Sequence, residues 1–185
     1  MDIVKGRLPG VLFVRPTVFG DQRGFFMETW QEGRYAQAGI KGPFVQDNLS
    51  FSQRGVVRGL HFQNPNPQGK LVYVLQGEVF DVAVDVRENS PTFGQWEGYI
   101  LSSENKCQLW IPEGFAHGFC VISETAMFAY KCTVFYSQKD EKILRWNDPA
   151  IGIEWPLSRT SLSQKDKDAP HLSDIPAEHL PKYKG

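Results

Sequence analysis

The residues between Gly55 and Gly77 carry the strongest chemical signal in this 185-residue chain. Gly55 is followed after five residues by His61-Phe62-Gln63, then by Lys70, then after six more by Gly77. An imidazole titrates near neutrality and can take or give a proton there. A protonated lysine donates hydrogen bonds and cannot ligate a cation. One histidine followed closely by a strand lysine therefore suits a site that holds something negative beside a proton acceptor. The duller alternative is that His61 is a hydrogen-bonded structural histidine. Lys70 is harder to dismiss, because a lysine leading into Leu-Val-Tyr-Val must still find water or an anion.

Other residues extend this chemistry. In Ile111-Pro-Glu-Gly-Phe-Ala-His-Gly-Phe119 the Pro and Gly make a tight turn that presents His117 at a strand start. The chain has no GxxxxGK[ST] loop and no GxGxxG turn, so any phosphate must be gripped by side chains. Arg23, Arg58 and Lys70 are the candidates, and an arginine fork fixes phosphate orientation. Gln46-Asp47-Asn48 offers amide donors and acceptors for a base edge, and Phe26 and Phe135 offer rings to stack on it. Read without further context, Tyr130 is a core aromatic and Asp166 sits in a solvated charge run. His171 and His179 fall in a polar tail and read as surface residues.

The elements that must position these groups are mostly strands. Lys70–Gln76 and Glu78–Val86 are rich in β-branched residues and are separated by Gly77. Further strands are predicted at Val11–Val14, Phe44–Asp47, Val56–Phe62, Gln95–Leu101, Gln108–Ile111, Gly118–Ile122 and Ala126–Phe135. Short strands at this spacing predict a sandwich or barrel. Thr29 with Glu32 predicts a capping box, opening a helix that Gly39 ends. The tail from about residue 158 reads as loop and short turns. After Gly77, alternation puts Val79, Asp81, Ala83 and Asp85 on one face and Phe80, Val82, Val84 and Val86 on the other. The acidic face must be wet or touch cations. Arg58 should point away from His61 unless a bulge at Gly59 brings it round.

Composition narrows the class further. The chain is 41% apolar and 22% charged with a net charge of −1, an ordinary globule with no field to attract nucleic acid or an acidic membrane. A single domain spanning 1–185 is expected. The N-terminus does not read as a signal peptide, no apolar run approaches membrane-spanning length, and three scattered cysteines fit a reducing cytoplasm.

The Gly55–Gly77 segment resembles the first motif of a cupin barrel, in which His-x-His and a Glu bind a metal. Gln63 stands for the second His and Lys70 for the Glu. Pro112, Gly114 and His117 resemble the core of the second motif, without its leading Gly and trailing Asn. The expected fold is mainly β, a cupin-like antiparallel β-barrel (jelly roll) with a few short helices. Taken together, Phe19–Glu28, Phe44–Asn48, Val57–Gln63, Gly77–Asp85, Ser90–Gly94, Gln108–Phe119, Trp146–Pro149 and Leu162–Asp166 resemble the dTDP-4-dehydrorhamnose 3,5-epimerases of dTDP-rhamnose synthesis.

This resemblance implies a set of roles. His61 would be the general base, Asp166 its orienting carboxylate, Tyr130 the acid on the opposite face, and Lys70 the cation beside the keto oxygen. Arg23, Glu28, Gln46, Asn48, Arg58, His117, Glu141 and Lys165 match positions around the nucleotide sugar. Phe135 stands where a tyrosine is expected. No cofactor and no metal are implied, and the partners are a dTDP-sugar and a second subunit in a homodimer with exchanged N-terminal strands. Relatives that invert a single centre share the dyad. A metal-dependent cupin using His61 and His117, or a non-catalytic nucleotide-sugar binding module, is the competing reading; stoichiometric metal would favour the first, and turnover would exclude the second.

Overall fold

The computed structural model describes residues 1–184. Two antiparallel sheets carry the architecture. In the first, the order is β1 (Asp2–Lys5), β2 (Leu12–Arg15), β10 (Gln108–Ile111), β7 (Lys70–Gln76), β12 (Thr125–Cys132) and β5 (Gln46–Gln53). In the second it is β13 (Glu141–Ile143), β6 (Val57–Gln63), β11 (Phe115–Val121), β8 (Glu78–Asp85) and β9 (Trp96–Ser102). Consecutive strands repeatedly cross between sheets, as in a cupin-like jelly roll. A separate hairpin joins β3 (Val18–Asp21) to β4 (Gly24–Met27).

Alternation explains where the core sits. On β7, Val72 and Val74 face a buried cluster with Val79, Ala83, Leu109, Phe119 and Phe128 between the sheets, whereas Leu71 joins Leu12, Val14, Trp110 and Tyr35 behind the first sheet. On β8 the two predicted faces separate as expected: Val79 and Ala83 turn inward, and Val82, Val84 and Val86 pack behind the second sheet. Each such large apolar side chain contributes about 1.5–3 kcal/mol on full burial. The acidic residues of that strand are not wet. Asp81 and Asp85 are both fully buried, Asp81 against His117 and Asp85 against Arg87 at 2.7 Å.

Three expectations need correction. The helix α1 (Glu32–Gln37) is capped by Gln31, whose side chain accepts from the Arg34 amide; Thr29 instead gives its carbonyl to Gln108. A glutamine reached the free amide because the chain enters the helix two residues later than the Thr–Glu box proposed. Gly39 does follow the helix, at φ +95°. The β3–β4 hairpin and β1 have no counterpart in the predicted strands, because their residues are mostly exposed and lack an apolar alternation. The tail is not simply peripheral. Leu172, Ile175 and Leu180 pack on the second sheet, and Ser161 exchanges main-chain hydrogen bonds with Gly55 and Val57. A short helix, α2 (Gln164–Lys167), closes over the sheet edge there.

Candidate active site

The inner faces of the two sheets meet at one end of the jelly roll. From the first sheet, register places Tyr130 opposite Asn48 and Val72, and Cys132 opposite Gln46 and Lys70. From the second, His61 pairs with His117 across β11 and with Ile143 across β13, and Gln63 pairs with Glu141. Two adjoining cavities result. One, of about 290 Å³, is lined by residues that include Gln46, Asn48, Gln63, Tyr136 and Glu141. The other, of about 550 Å³, includes Arg58, His117, Phe128, Ser163 and Asp166. His61, Lys70 and Tyr130 line both.

His61 is held by a carboxylate from far along the chain. Its Nε2 lies 2.6 Å from Asp166 Oδ1. Ser163 caps α2 by accepting from the Asp166 amide, and its hydroxyl donates to Asp166 Oδ2 at 2.9 Å. Burial alone would raise the Asp166 carboxyl; the hydrogen bonds from His61 and Ser163 outweigh it and hold the group below its ordinary value. Asp166 is thus ionised at neutral pH and can only accept. An Nε2 hydrogen is therefore required, and in the neutral imidazole Nδ1 is the nitrogen that keeps the lone pair.

Lys70 is buried, and desolvation pushes its ammonium below the ordinary lysine value, against the pull of Cys132, Asp81 and Glu141. Burial raises the Tyr130 phenol, which therefore stays protonated at neutral pH. His117 Nε2 is hydrogen-bonded to Asp81 Oδ2 at 2.9 Å, and burial pushes that imidazole below its ordinary value. Among the described residues no three His, Cys, Asp or Glu side chains converge as a metal cage would require.

Arg58 does reach this site, by the bulge. The β6–β11 register shifts between His117 and Phe119, and Gly59 sits at φ +123°. A Cβ at Gly59 would lie 2.6 Å from Gly118 Cα and 2.7 Å from the His117 carbonyl, so only glycine permits the approach. Arg58 Nε then donates to Ser52 at 3.0 Å, and its side chain lines the larger cavity. Lys165 and Glu141 are joined at 2.9 Å, linking α2 to β13 at the mouth.

Not every predicted residue arrives. Arg23 is 86% exposed at the hairpin tip, paired with Asp21. Phe26 is also exposed, and Glu28 binds Arg34; none of the three lines either cavity within this chain. Phe135 is 66% exposed and offers only its carbonyl, to Gln63. The ring in the cavity wall is its neighbour Tyr136, whose hydroxyl reaches Glu141 at 3.3 Å. Sequence reasoning passed over Tyr136, Ser50, Ser163, Gln68 and Cys132 as cavity residues. Only Ser163 left a trace, as a serine ahead of a charged turn.

Proton transfer inside a jelly roll is the class of chemistry that this arrangement defines. Comparison with known proteins makes the assignment specific. The family model for dTDP-4-dehydrorhamnose 3,5-epimerase matches residues 5–174. The Salmonella typhimurium protein of that description is 57% identical over 175 residues, covering 93% of this chain and 96% of its own. A Neisseria gonorrhoeae protein of the same description is 58% identical over 90% of this chain, which spans about half (51%) of that longer protein. A crystal structure of the Legionella pneumophila dTDP-6-deoxy-D-glucose-3,5-epimerase, in complex with dTDP-4-keto-L-rhamnose, superposes with a TM-score of 0.97 at 53% identity, covering 100% of this chain and 99% of that one. The chain belongs to the dTDP-4-dehydrorhamnose 3,5-epimerase family and is an epimerase by these relatives. No helix among the described residues is long and apolar enough to cross a membrane.

Proposed function

We propose that the protein inverts C3 and C5 of dTDP-4-dehydro-6-deoxy-D-glucose, giving dTDP-4-dehydro-L-rhamnose, with no cofactor. The observation that carries this reading is that an imidazole oriented by an ionised carboxylate shares its cavities with a protonated phenol and a buried ammonium. The sugar's 4-keto group acidifies the hydrogens on both neighbouring carbons, because the carbanion delocalises onto oxygen as an enolate. His61 Nδ1 takes a proton from one face, and Asp166 stabilises the imidazolium. The Lys70 ammonium faces the developing enolate oxygen, which a buried cation stabilises more strongly than an exposed one. Tyr130 returns a proton to the opposite face, and inversion follows. Arg58, His117 and Lys165 supply positive or hydrogen-bonding groups for the diphosphate, and Asn48 for the base or sugar.

A homodimer with exchanged N-terminal strands belongs to this proposal. It gives Arg23, Phe26 and Glu28 a second subunit's cavity to reach, and it covers the exposed rings of Phe19, Phe25 and Phe26. Sedimentation should then give a dimer, and deletion of residues 18–27 should raise KM.

Solvent deuterium exchange, read by NMR on the nucleotide sugar, tests the chemistry. The wild type should incorporate deuterium at C3 and C5. Label at one carbon only would make it a single-centre epimerase. Tyr130→Phe should lose net inversion by about 10² while losing less of the initial exchange; equal losses would remove its role as the acid.

A further inference from the structure

The wall of the smaller cavity is built from a segment with no strand partner. Residues 133–140 follow β12 and carry Tyr136 into the cavity, yet they belong to neither sheet. Unpaired main-chain groups at a cavity wall are costly unless something satisfies them. Here side-chain amides do. Gln68 Nε2 donates to the Val134 carbonyl at 2.8 Å. Gln63 Nε2 donates to the Phe135 carbonyl at 3.4 Å and to the Asn66 carbonyl at 3.0 Å. Gln46 Oε1 accepts from the Tyr136 amide at 2.8 Å, and Gln63 Oε1 from the Ser137 amide at 2.8 Å. Three glutamines thus bind four consecutive residues, in the way that a neighbouring strand would.

All three glutamines line the cavity, and each gives the wall at least one hydrogen bond. Gln63 is the centre of this arrangement. It is buried, it holds both neighbours of Tyr136, and it joins the β6–β7 loop to the segment after β12. Its carbonyl oxygen and its amide nitrogen are each engaged by the protein. Gln46 likewise uses its nitrogen on Asn48 Oδ1 at 2.9 Å.

We propose that Gln63 is a positioning residue for ligand binding. It fixes the Tyr136 wall, and through it the shape of the cavity, without touching the reacting atoms. The residue that occupies a metal ligand's place in the cupin frame therefore works as a clamp between two loops. Gln46 and Gln68 are its auxiliaries. The inference rests on the proposed substrate class for its dTDP-binding and kinetic arms, and not for its hydrogen-exchange arm.

Hydrogen exchange on the free protein, dTDP binding and steady-state kinetics test it together. Gln63→Met keeps the side chain's length and removes all three hydrogen bonds. The Ser137 amide should exchange at least about tenfold faster, the Kd for dTDP should rise about three- to tenfold, and KM should rise with it while kcat changes less than about twofold. Gln63→Glu keeps the acceptor for the Ser137 amide and loses the donors. It should restore Ser137 protection while leaving dTDP binding only partly recovered. If Gln63→Met fails to fold, Gln68→Leu, at the edge of the cluster, should give the same pattern about twofold in size. Unchanged Ser137 exchange with unchanged dTDP affinity would overturn the proposal, as would a fall in kcat at constant KM, which would make Gln63 a catalytic group. Absence of dTDP binding by the wild type would instead count against the proposed substrate, and the exchange arm would still decide the clamp.

Discussion

Two histidines on adjacent strands of the same sheet, His61 on β6 and His117 on β11, are each paired with an aspartate, and their surroundings make the pairs chemically different. His61 and Asp166 have side chains 28% and 5% exposed, joined at 2.6 Å. His117 and Asp81 are 8% and 0% exposed, joined at 2.9 Å. In the first pair the carboxyl is held below its ordinary value, since Ser163 adds a second hydrogen bond against the cost of burial. In the second, burial wins on both sides, raising Asp81 and lowering His117. An ionised partner welcomes an imidazolium, whereas a dry pocket resists one. The hydrogen bond alone does not make a base. His117 lines the larger cavity too, and what sets the proposed base apart is its greater exposure and a carboxylate held below its ordinary value.

The largest test of that contrast is substitution of each histidine. His61→Ala should lower C3 and C5 exchange by about 10³ to 10⁴, measured at saturating substrate. His117→Asn should keep exchange within about tenfold and instead lower stability by about 1–3 kcal/mol, by leaving Asp81 buried without its partner. Comparable loss of exchange in both would dissolve the distinction. Asp166→Asn should cost kcat about 10² to 10³, because an amide no longer fixes the tautomer. Asp81→Asn should cost less than about tenfold, since an amide still offers His117 a hydrogen-bond partner of the same size.

Lys70→Met sharpens the picture differently. It should reduce kcat by about 10² and leave the protein as stable or more so in thermal melts. The sign follows from desolvation. The folded-state value of Lys70 is lowered, so the unfolded chain binds the proton more tightly and the charged group costs stability at neutral pH. That cost fades as pH rises through the lowered value.

The smallest effect is on acid stability. The Asp166 value is lowered on folding, so its contribution is fully present above the unfolded value and is lost as pH falls through the folded one. The stability gap between wild type and Asp166→Asn should shrink below about pH 4. A gap that instead widened in acid would contradict an ionised Asp166.

What could be read from the sequence depended on how local the cause was. Strands β7 and β8 follow from β-branched runs around Gly77, and the face assignments on β8 follow from alternation. The exchange of a ligand for Lys70 was visible as a change of residue type. The Arg58 bulge was visible as a conflict of parity, although its resolution needed Gly118 on the facing strand. The partners of Gln63 were invisible, because Ser137 lies 74 residues away and the contact is to main chain, which leaves no residue-type signature. The Tyr136 wall was missed for the same reason. Asp166 looked like one charge among several, and only the family resemblance linked it to His61.

That link spans 105 residues and has a consequence for biosynthesis. At ribosomal speeds the carboxylate is made roughly 5–20 s after the imidazole that it serves. A nascent chain with both sheets already emerged would still carry His61 without its carboxylate, so under the proposed mechanism activity waits for the closing segment to dock against Gly55 and Val57.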